Sequence, residues 1–544
     1  MDKQIRPFGM RDKIGYMFGD FGNDFTFILS SAFMLKFYTD VMGIGAGVVG
    51  MLMMAARFLD AFTDITMGQI VDRSKPGKDG KFRPWIRRMC GPVAISSFLI
   101  YQSAFAGMPY WFKVGWMVVT YILWGSIFYT AVNIPYGSMA SAISAEAKDR
   151  AQLSTWRTVG ATLAGLVIGA GTPMLAYVTV EGQTVLSGFR MTVIAGVFSV
   201  LSFLCYLLCV RLTVERVEVP ASEGKIQFTS QLKNLMKNRA LLGIIAAAMF
   251  LLLALLGMQG ISAYVFPEVY NSAKAQSMFS LLTSLAVLGV CAPLATRLSV
   301  RYGKRELSAF SCLFGAVILF LCMVIYPKNE WVYVGFFVLA YIGIGFFNTV
   351  IWAMITDVID DAEVKNKVRE DGTVYSLYSF ARKLGQALSS GLVGTILAAV
   401  GYQAQLMHNP QGAEQIARRA VILDRIFQMS CLIPAIGLFI VAMILLFIYP
   451  LSKKKVNENI AELEKRRNSL QEVYPLYNSW WCQIGTTNLL YYLKEEDYEI
   501  FKAVFTYSMY HICWRTCQIC SAAADSGKYL RYGDFICGFD DGTY

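Results

Sequence analysis

Apolar stretches long enough to cross a lipid bilayer recur along the first 450 residues of the chain. A helix needs about 20 apolar residues to span the hydrocarbon core, and twelve segments reach that length. Charged residues make up only 16% of the sequence, whereas soluble domains carry about 25%. The sequence therefore predicts an all-α membrane protein with twelve transmembrane helices. We predict these helices at 14–40, 46–72, 86–107, 112–143, 153–178, 189–212, 240–266, 274–299, 306–326, 331–360, 373–401 and 422–450.

The charge of the connections predicts the orientation in the membrane. Basic residues concentrate in the connections after predicted helices 2, 4, 6 and 8, and such connections stay in the cytoplasm. The net charge of +11 is thereby explained without a nucleic-acid partner. Residues 1–13 are short and basic, which predicts no cleaved signal peptide. We therefore expect a multi-pass protein of the bacterial cytoplasmic membrane with both termini in the cytoplasm.

A weak internal repeat predicts two halves of six helices. The run Gly80-Lys81-Phe82-Arg83 after predicted helix 2 is echoed by Gly303-Lys304-Arg305 after predicted helix 8. Two such halves enclosing a central site are a known transporter plan. The predicted division is an N-terminal half at 1–212, a cytoplasmic middle loop at 213–239, a C-terminal half at 240–452 and a cytoplasmic tail at 453–544. Phe228, Leu232, Leu235 and Met236 predict an interfacial amphipathic helix in the middle loop.

Predicted helix 2 carries charges that are costly within a membrane. Arg57, Asp60 and Asp64 lie three and four residues apart and share one face with Thr63. A charge at the bilayer centre costs about 2.5–3.5 kcal/mol on insertion scales and therefore requires a partner or a cavity. One arginine cannot neutralise two carboxylates, so we expect a second cation, either a metal ion or a proton. The alternative is a buried ion pair that fixes helix packing.

Predicted helix 1 places Asp24 among aromatic side chains. Phe21, Phe25 and Phe27 flank the carboxylate, and Asn23 precedes it. A carboxylate can accept hydrogen bonds from sugar hydroxyls while aromatic rings cover the apolar face of the sugar. Asp24 is therefore a candidate substrate-binding residue. The alternative is that it pairs with Arg57 or another basic residue.

Three further helices contribute candidate residues. Thr130 and Asn133 precede Pro135, which removes a backbone donor and can kink predicted helix 4. Arg382 and Lys383 are adjacent on predicted helix 11 and cannot point the same way, so we expect one of them to face the aspartates. The remaining candidates for the substrate site are Tyr378 on helix 11, near Tyr375, and Arg157 on helix 5, for which a cytoplasmic anchor is an equal alternative.

The inner end of predicted helix 10 carries a mixed charge cluster. A gate of ion pairs and a solvated helix end are both open interpretations. The cluster consists of Asp357, Asp360, Asp361, Glu363, Lys365, Lys367 and Arg369.

Several motifs in order resemble one transporter family. These are the runs 16–24 (YMFGDFGND), 37–40 (FYTD), 57–64 (RFLDAFTD), 80–85 (GKFRPW) and 133–137 (NIPYG). They resemble the glycoside-pentoside-hexuronide:cation symporters, the melibiose-permease-like branch of the major facilitator superfamily, over about residues 10–450. The resemblance implies that Asp24 binds sugar and that Asp60, Asp64 and Thr130 belong to the cation site. It also implies that Lys383 lies close to both sites.

Two positions depart from the melibiose carrier. That carrier has asparagine where this chain has Thr63, and a sugar-binding aspartate where this chain has Asn133. Asn133 can still donate and accept hydrogen bonds to hydroxyls. Thr63 is a weaker cation ligand than an amide, which favours proton coupling. Sodium stays open, with Asp60 and Asp64 as the metal ligands in that case.

The sequence thus predicts a symporter that couples a proton or sodium ion to a sugar, glycoside, pentoside or hexuronide, needs no cofactor and works as a monomer. A transporter-like sensor signalling through the C-terminal tail is the alternative from another class. A lipid substrate is a further possibility within transport. An enzyme is not expected, because the two histidines, His408 and His511, lie outside the predicted spans.

The tail beyond Ser469 has a different composition, rich in Tyr, Trp and Cys. Cys513, Cys517 and Cys520 have the spacing of some iron–sulfur sites, and together with Cys537 or His511 they also permit a zinc site. A non-homologous extension is the interpretation we favour.

Overall fold

The computed structural model describes residues 6–77, 79–217, 238–366 and 371–466. Their main elements are twelve long helices and one β-hairpin, and a further helical stretch follows at 453–466. In chain order they are α1 (Met10–Lys36), α2 (Ala46–Arg73), α3 (Arg83–Ile100), α4 (Tyr110–Ile143), α5 (Ala147–Ala176), β1 (Tyr177–Val180), β2 (Gln183–Leu186), α6 (Gly188–Leu212), α7 (Arg239–Val269), α8 (Ala273–Tyr302), α9 (Lys304–Ile325), α10 (Glu330–Asn366), α11 (Asp371–Val400) and α12 (Gly412–Ile448).

Ten of the described helices are long and apolar enough to cross a membrane. The other two are α1 and α3. Charged residues such as Asp20 and Asp24 in α1, and Arg87 and Arg88 in α3, make these helices less apolar. Both pack against α6 within the bundle. That they also cross the bilayer stays a prediction.

The predicted helix positions are correct, but several boundaries were wrong. Helix α3 ends at Ile100 instead of 107, and the short turn Ser103–Phe105 follows it. Helix α12 begins ten residues before the predicted 422, because the polar residues after Gly412 already form helix. Helix α10 runs on to Asn366 through its charged end. Charged residues therefore show where an apolar span ends, whereas the helix itself can continue beyond them.

The bundle has two distinct ends. The β-hairpin lies at the end formed by residues 42–45, 270–272 and 401–411, which we call the hairpin end. The opposite end, formed by residues 74–82, 144–146 and 303, we call the basic end. The hairpin turns at Glu181 and Gly182, both with positive φ (50° and 79°), as two-residue hairpin turns require. The sequence analysis missed this hairpin.

Helices α2 and α11 make a close contact towards the hairpin end. A Cβ atom on Gly50 would lie 2.7 Å from Gly394 Cα, and one on Gly47 would lie 3.0 Å from Ala398 Cβ. Small residues allow helix backbones to approach in this way. Because α2 and α11 belong to different predicted halves, this contact holds the two sets of helices together near the hairpin end.

Substituting Gly50 with valine is expected to destabilise the protein. The added side chain would meet the Gly394 backbone, and overpacking of this kind costs about 1–3 kcal/mol. Thermal unfolding of the detergent-purified protein should show a lower Tm. Gly68→Val is the matched control, because a Cβ atom at Gly68 meets nothing within 4 Å. Equal Tm values for the two variants would contradict the close contact.

The repeated loop motif also recurs in the backbone. Gly80 and Gly303, which precede Lys81 and Lys304, have φ values of 99° and 103°. A side chain is strained in this region, which explains glycine at both positions. Residues 1–463 form one compact unit. The division into two halves stays a prediction, and the amphipathic helix expected around Phe228 lies outside the described residues.

Candidate substrate and cation site

Asp24 lies within α1 and makes no hydrogen bond or ion pair with any residue that the structure describes. Phe27, one turn further on, stacks against Tyr129 of α4 with ring centroids 6.0 Å apart. The alternative in which Asp24 pairs with Arg57 is not observed, since Arg57 lies 3.7 Å from Asp60 instead. The Asp24 carboxylate is therefore available to accept hydrogen bonds from a ligand.

Arg157 reaches the same face of α1. Its Nε atom donates to Asp20 Oδ1 at 2.9 Å, and Asp20 lies one helical turn before Asp24. The guanidinium also lies over the Tyr136 ring, 5.6 Å from its centroid. The structure thus brings Arg157 to the candidate substrate site. The sequence analysis missed Asp20, although its i, i+4 spacing to Asp24 was a visible signal.

Asn133 joins this group through Asn23. Asn23 Nδ2 donates to Asn133 Oδ1 at 3.4 Å, and Tyr206 of α6 donates to Asn23 Oδ1 at 2.7 Å. Helix α4 continues through Pro135 to Ile143. The two amides and Tyr206 therefore link α1, α4 and α6 through side-chain hydrogen bonds.

Asp60 is held by two neighbours within the same set of helices. Its Oδ1 atom accepts a hydrogen bond from Ser126 at 2.5 Å, and its Oδ2 atom lies 3.7 Å from Arg57. Arg57 also lies over the Phe27 ring at 4.8 Å. One of the two carboxylates of α2 is therefore paired with an arginine, as predicted by the alternative of a buried ion pair.

Asp64 receives its counter-charge from the other set of helices. Thr130 donates to Asp64 Oδ1 at 2.8 Å, and Lys383 of α11 forms an ion pair with Asp64 Oδ2. Arg57 and Lys383 together balance Asp60 and Asp64. Lys383 is thus the one of the two adjacent basic residues on α11 that faces the aspartates, and binding of a metal ion or a proton at Asp60 and Asp64 stays a prediction.

A π-helical segment shapes this part of α4. It runs from Ile122 to Tyr129, immediately before Thr130. Thr130 Oγ1 lies 3.1 Å from the Gly125 carbonyl oxygen, five residues earlier. Such π-bulges are frequent at functional sites. The π-segment contains both Tyr129, which stacks on Phe27, and Ser126, which contacts Asp60, so it connects the substrate candidates with the cation candidates.

The remaining candidates are less central. Thr63 Oγ1 donates to the Asp60 backbone carbonyl of its own helix at 3.1 Å. Tyr378 packs edge-on against Trp352, with ring centroids 5.1 Å apart, and Arg382 lies over both rings. Arg382 and Lys383 thus point to different groups, as expected from their adjacency. The binding roles of Thr63 and Tyr378 stay predictions.

A second buried ion cluster lies at the hairpin end, and the sequence analysis missed it. Lys36 of α1 forms ion pairs with Asp40 at 2.6 Å and with Glu268 of α7. Tyr402, from the segment before α12, contacts all three, at 3.0 Å from Lys36, 2.8 Å from Asp40 and 3.1 Å from Glu268. This cluster joins the two predicted halves through side chains that are almost completely buried.

His408 completes the hairpin-end cluster. Its Nε2 atom lies 3.5 Å from Asp40 and 3.7 Å from Glu268. The ligand atoms of these three residues lie close enough to hold a metal ion. However, Lys36 already pairs with both carboxylates, so the arrangement is an ion cluster that fastens α1 to α7.

The charge cluster at the end of α10 is partly buried. Asp357 pairs with Lys304 at 2.6 Å, while Asp361 pairs with Lys365 at 2.6 Å and accepts a hydrogen bond from Asn459 at 3.0 Å. The Asp357 and Asp361 contacts therefore join α10 to α9 and to the segment after residue 452, and the gate and the solvated helix end both stay open interpretations. Other predicted members and candidates lie outside the described residues or have undescribed side chains: Lys367, Arg369, Tyr375, Cys513, Cys517, Cys520, Cys537 and His511.

Sequence comparison identifies the family. Residues 15–453 match the family described as MFS/sugar transport protein. A glucuronide carrier protein homolog of Escherichia coli (strain K12) is 29% identical, covering 85% of this chain and 97% of the relative. A putative glycoside/cation symporter of the same organism is 30% identical, covering 86% of this chain and 97% of the relative.

The fold agrees with this match. A bacterial homologue of the human lysosomal transporter Spinster, solved in an inward-facing and occupied conformation, superposes with a TM-score of 0.58 at 13% identity. The superposition covers 81% of this chain and 95% of that structure. These matches confirm the family and the transporter class that the motifs predicted, and they bear out the expectation that the chain is not an enzyme. The chain belongs to the MFS/sugar transport protein family and is a multi-pass membrane transporter.

Proposed function

We propose that this chain is a symporter that couples entry of a cation to entry of a sugar or glycoside across the bacterial cytoplasmic membrane. The observation that carries the proposal is the arrangement of three carboxylates: Asp24 is free to accept hydrogen bonds from hydroxyl groups, Asp60 is paired with Arg57, and Asp64 is paired with Lys383 from the opposite half. Relatives described as a glucuronide carrier homolog and a glycoside/cation symporter support the substrate class. The proposed range of substrates also includes hexuronides and pentosides.

The coupling ion acts by competing with Lys383. A proton on Asp64, or a sodium ion bound by Asp60 and Asp64, removes the charge that holds Lys383 in place. Thr130, which already contacts Asp64, supplies a further oxygen ligand for sodium. Because the Asp64–Lys383 pair bridges the two halves, its release frees α11 to move relative to α2. Lys383 then becomes available to the substrate.

The substrate binds against α1, α4 and α5. Asp24 accepts hydrogen bonds from hydroxyl groups, while Arg157 and Asn133 supply donors at the same wall. Tyr129, stacked on Phe27 and adjacent to Thr130, connects the substrate to the cation site. Coupling through this contact is reciprocal, because each ligand raises the affinity of the other by the same factor.

Alternating access then follows from two contacts between the halves. The hairpin-end cluster of Lys36, Asp40 and Glu268 closes one side, and the Asp64–Lys383 pair responds to the cation. From the positive-inside rule we infer that the basic end and both termini face the cytoplasm and that the hairpin end faces outward. Because one chain supplies both walls of the site, the transporter works as a monomer.

Uptake into vesicles tests this proposal. We expect gradient-driven accumulation of at least one member of a panel of radiolabelled xylosides, galactosides, glucosides and glucuronides, under either an imposed proton gradient or an imposed sodium gradient. The Asp60→Asn variant should lose accumulation by at least tenfold, because the cation site loses a charge. The matched control is Asp424→Asn, since Asp424 contacts Gln428 on α12, away from the site.

Two outcomes would contradict the proposal. Binding without accumulation under either gradient would favour the sensor alternative, whose signalling tail at 470–544 lies outside the described residues. Full accumulation by Asp60→Asn would remove Asp60 from the coupling mechanism.

A further inference from the structure

His408 faces two carboxylates of the hairpin-end cluster without forming a hydrogen bond. Its Nε2 atom lies 3.5 Å from Asp40 Oδ2 and 3.7 Å from Glu268 Oε1, and it has no hydrogen-bond partner among the residues that the structure describes. A neutral imidazole has one N–H donor, whereas a protonated imidazole has two and carries a positive charge. Protonation of the ring therefore turns this approach into ion pairs with both acids.

The charges around His408 leave the cluster with an excess of negative charge. Lys36 pairs with both Asp40 and Glu268, so these three side chains carry one positive and two negative charges. Arg419 of α12 lines the same cavity as His408, but it forms no ion pair with either acid in the described part of the chain. A proton on His408 therefore brings the cluster to a net charge of zero. The titratable and charged side chains that surround His408 are Lys36, Asp40, Glu268, Tyr402 and Arg419.

Water has access to the imidazole ring at the hairpin end. His408 lines a cavity of about 120 Å³ together with Gln183 and Thr184 of the β-hairpin. Its side chain is 19% exposed, whereas the side chains of the two acids are 1% and 2% exposed. A proton can therefore exchange between this cavity and the ring without entering the bundle. Histidine is also the side chain that changes its charge in the physiological range, at about pH 5 to 8.

The approach of His408 to the two acids joins elements that are distant in the chain. His408 ends the short helix Ala404–His408 before α12, and this helix contacts residues 37–41, which include Asp40. Glu268 lies near the end of α7. Separation of α1 from α7 parts the ring from at least one acid, so the closed state holds the proton more tightly than an open state. By linkage, a lower pH then favours the closed state.

We propose that His408 is a pH-sensitive switch of the hairpin end, which stabilises closure when the ring is protonated and favours opening when the ring is neutral. This proton acts on the hairpin-end cluster and is distinct from the coupling ion, which acts at Asp60 and Asp64. In the inferred orientation, the switch responds to the pH outside the cell. The inference depends on the ion cluster and not on a sugar substrate, so it can fail while the proposed function stands.

Hydrogen–deuterium exchange at about pH 8 and about pH 5.5 tests the switch on the purified full-length protein without substrate. The rates for peptides covering residues 37–45 and 262–272 are divided by the intrinsic exchange rates at each pH. We expect the corrected rates to fall with pH more in the wild type than in His408→Gln, by about threefold or more, the effect of a partly exposed ion pair. Glutamine is uncharged at both pH values, and any contribution from the cation site is common to both proteins.

A second variant and a matched control accompany this comparison. His408→Arg keeps a positive charge at both pH values, so its corrected rates at about pH 8 should match the low rates of the wild type at about pH 5.5. The control is His511→Gln, which removes the only other histidine of the chain and should keep the wild-type pH response.

Equal pH responses of the wild type and His408→Gln would overturn the switch. Where His408→Gln does not fold, His408→Arg decides, and exchange as fast as in the wild type at the higher pH would overturn the proposal. Loss of the response in His511→Gln would also overturn it, because the tail histidine would then be the group that titrates.

Discussion

Replacing Asp24 with asparagine is expected to reduce substrate affinity by up to about a hundredfold. The Asp24 carboxylate makes no hydrogen bond or ion pair with the described residues, so it is free to accept hydrogen bonds from a ligand. A hydrogen bond to a charged group contributes about 1.5–3 kcal/mol, and losing about 2.7 kcal/mol corresponds to a hundredfold change in Kd. Titration calorimetry with the glycoside that the wild type accumulates would measure this change.

The comparison variant is Asp20→Asn, one helical turn away. Asp20 holds Arg157 at 2.9 Å, so its substitution should weaken binding only through a less well positioned arginine, by about tenfold or less. Undiminished binding by Asp24→Asn would remove Asp24 from the substrate site. A larger loss for Asp20→Asn than for Asp24→Asn would assign the primary contact to Arg157 instead.

Helical spacing was sufficient to predict the local arrangement of side chains in the candidate cation site. The period of 3.6 residues put Arg57, Asp60 and Asp64 on one face of α2, and adjacency separated Arg382 from Lys383 on α11. These are local relations, fixed by the geometry of a single helix. The structure brings these side chains together in the expected way.

Contacts between distant segments could not be read from the sequence. The charge on Asp64 pointed to a missing cation, but only the packing of α2 against α11 identifies Lys383 as its partner. Tyr206 reaches Asn23 from a helix more than 180 residues away. The π-helical segment before Thr130 shifts the register of α4, so regular helical spacing could not place Tyr129.

The hairpin-end cluster was missed for the same reason. Lys36, Asp40, Glu268, Tyr402 and His408 lie at or beyond the ends of apolar segments, where charges usually contact water. Only the folded chain buries them together. From the sequence alone, a charged residue at the end of a helix therefore does not show whether it contacts water or a buried partner. The positions of the neighbouring helices decide this.

Replacing Lys36 with methionine is expected to open the hairpin end. Lys36 is paired with both Asp40 and Glu268, and breaking a buried ion pair by removing one partner costs about 3–5 kcal/mol. The carboxylates of Asp40 and Glu268 repel each other without the lysine and can lower this cost by moving apart. This movement would separate the end of α1 from α7. Hydrogen–deuterium exchange of peptides covering residues 37–45 and 262–272 should rise at least tenfold, equivalent to about 1.4 kcal/mol.

A charge-restoring double variant separates electrostatics from packing. The one lysine and two acids of the cluster carry a net charge of −1, and Lys36→Met lowers it to −2. Adding Glu268→Gln returns the charge to −1, so exchange in the double variant should fall back towards the wild-type rate. Lys113→Met, at the same end of the bundle, should leave exchange of residues 262–272 unchanged, because the Lys113 side chain donates to the Ala106 carbonyl and makes no ion pair with the cluster in the described residues. If the double variant exchanges as fast as Lys36→Met, the cluster stabilises the hairpin end through packing of the lysine side chain. The prediction that ion pairs hold the hairpin end closed would then be wrong.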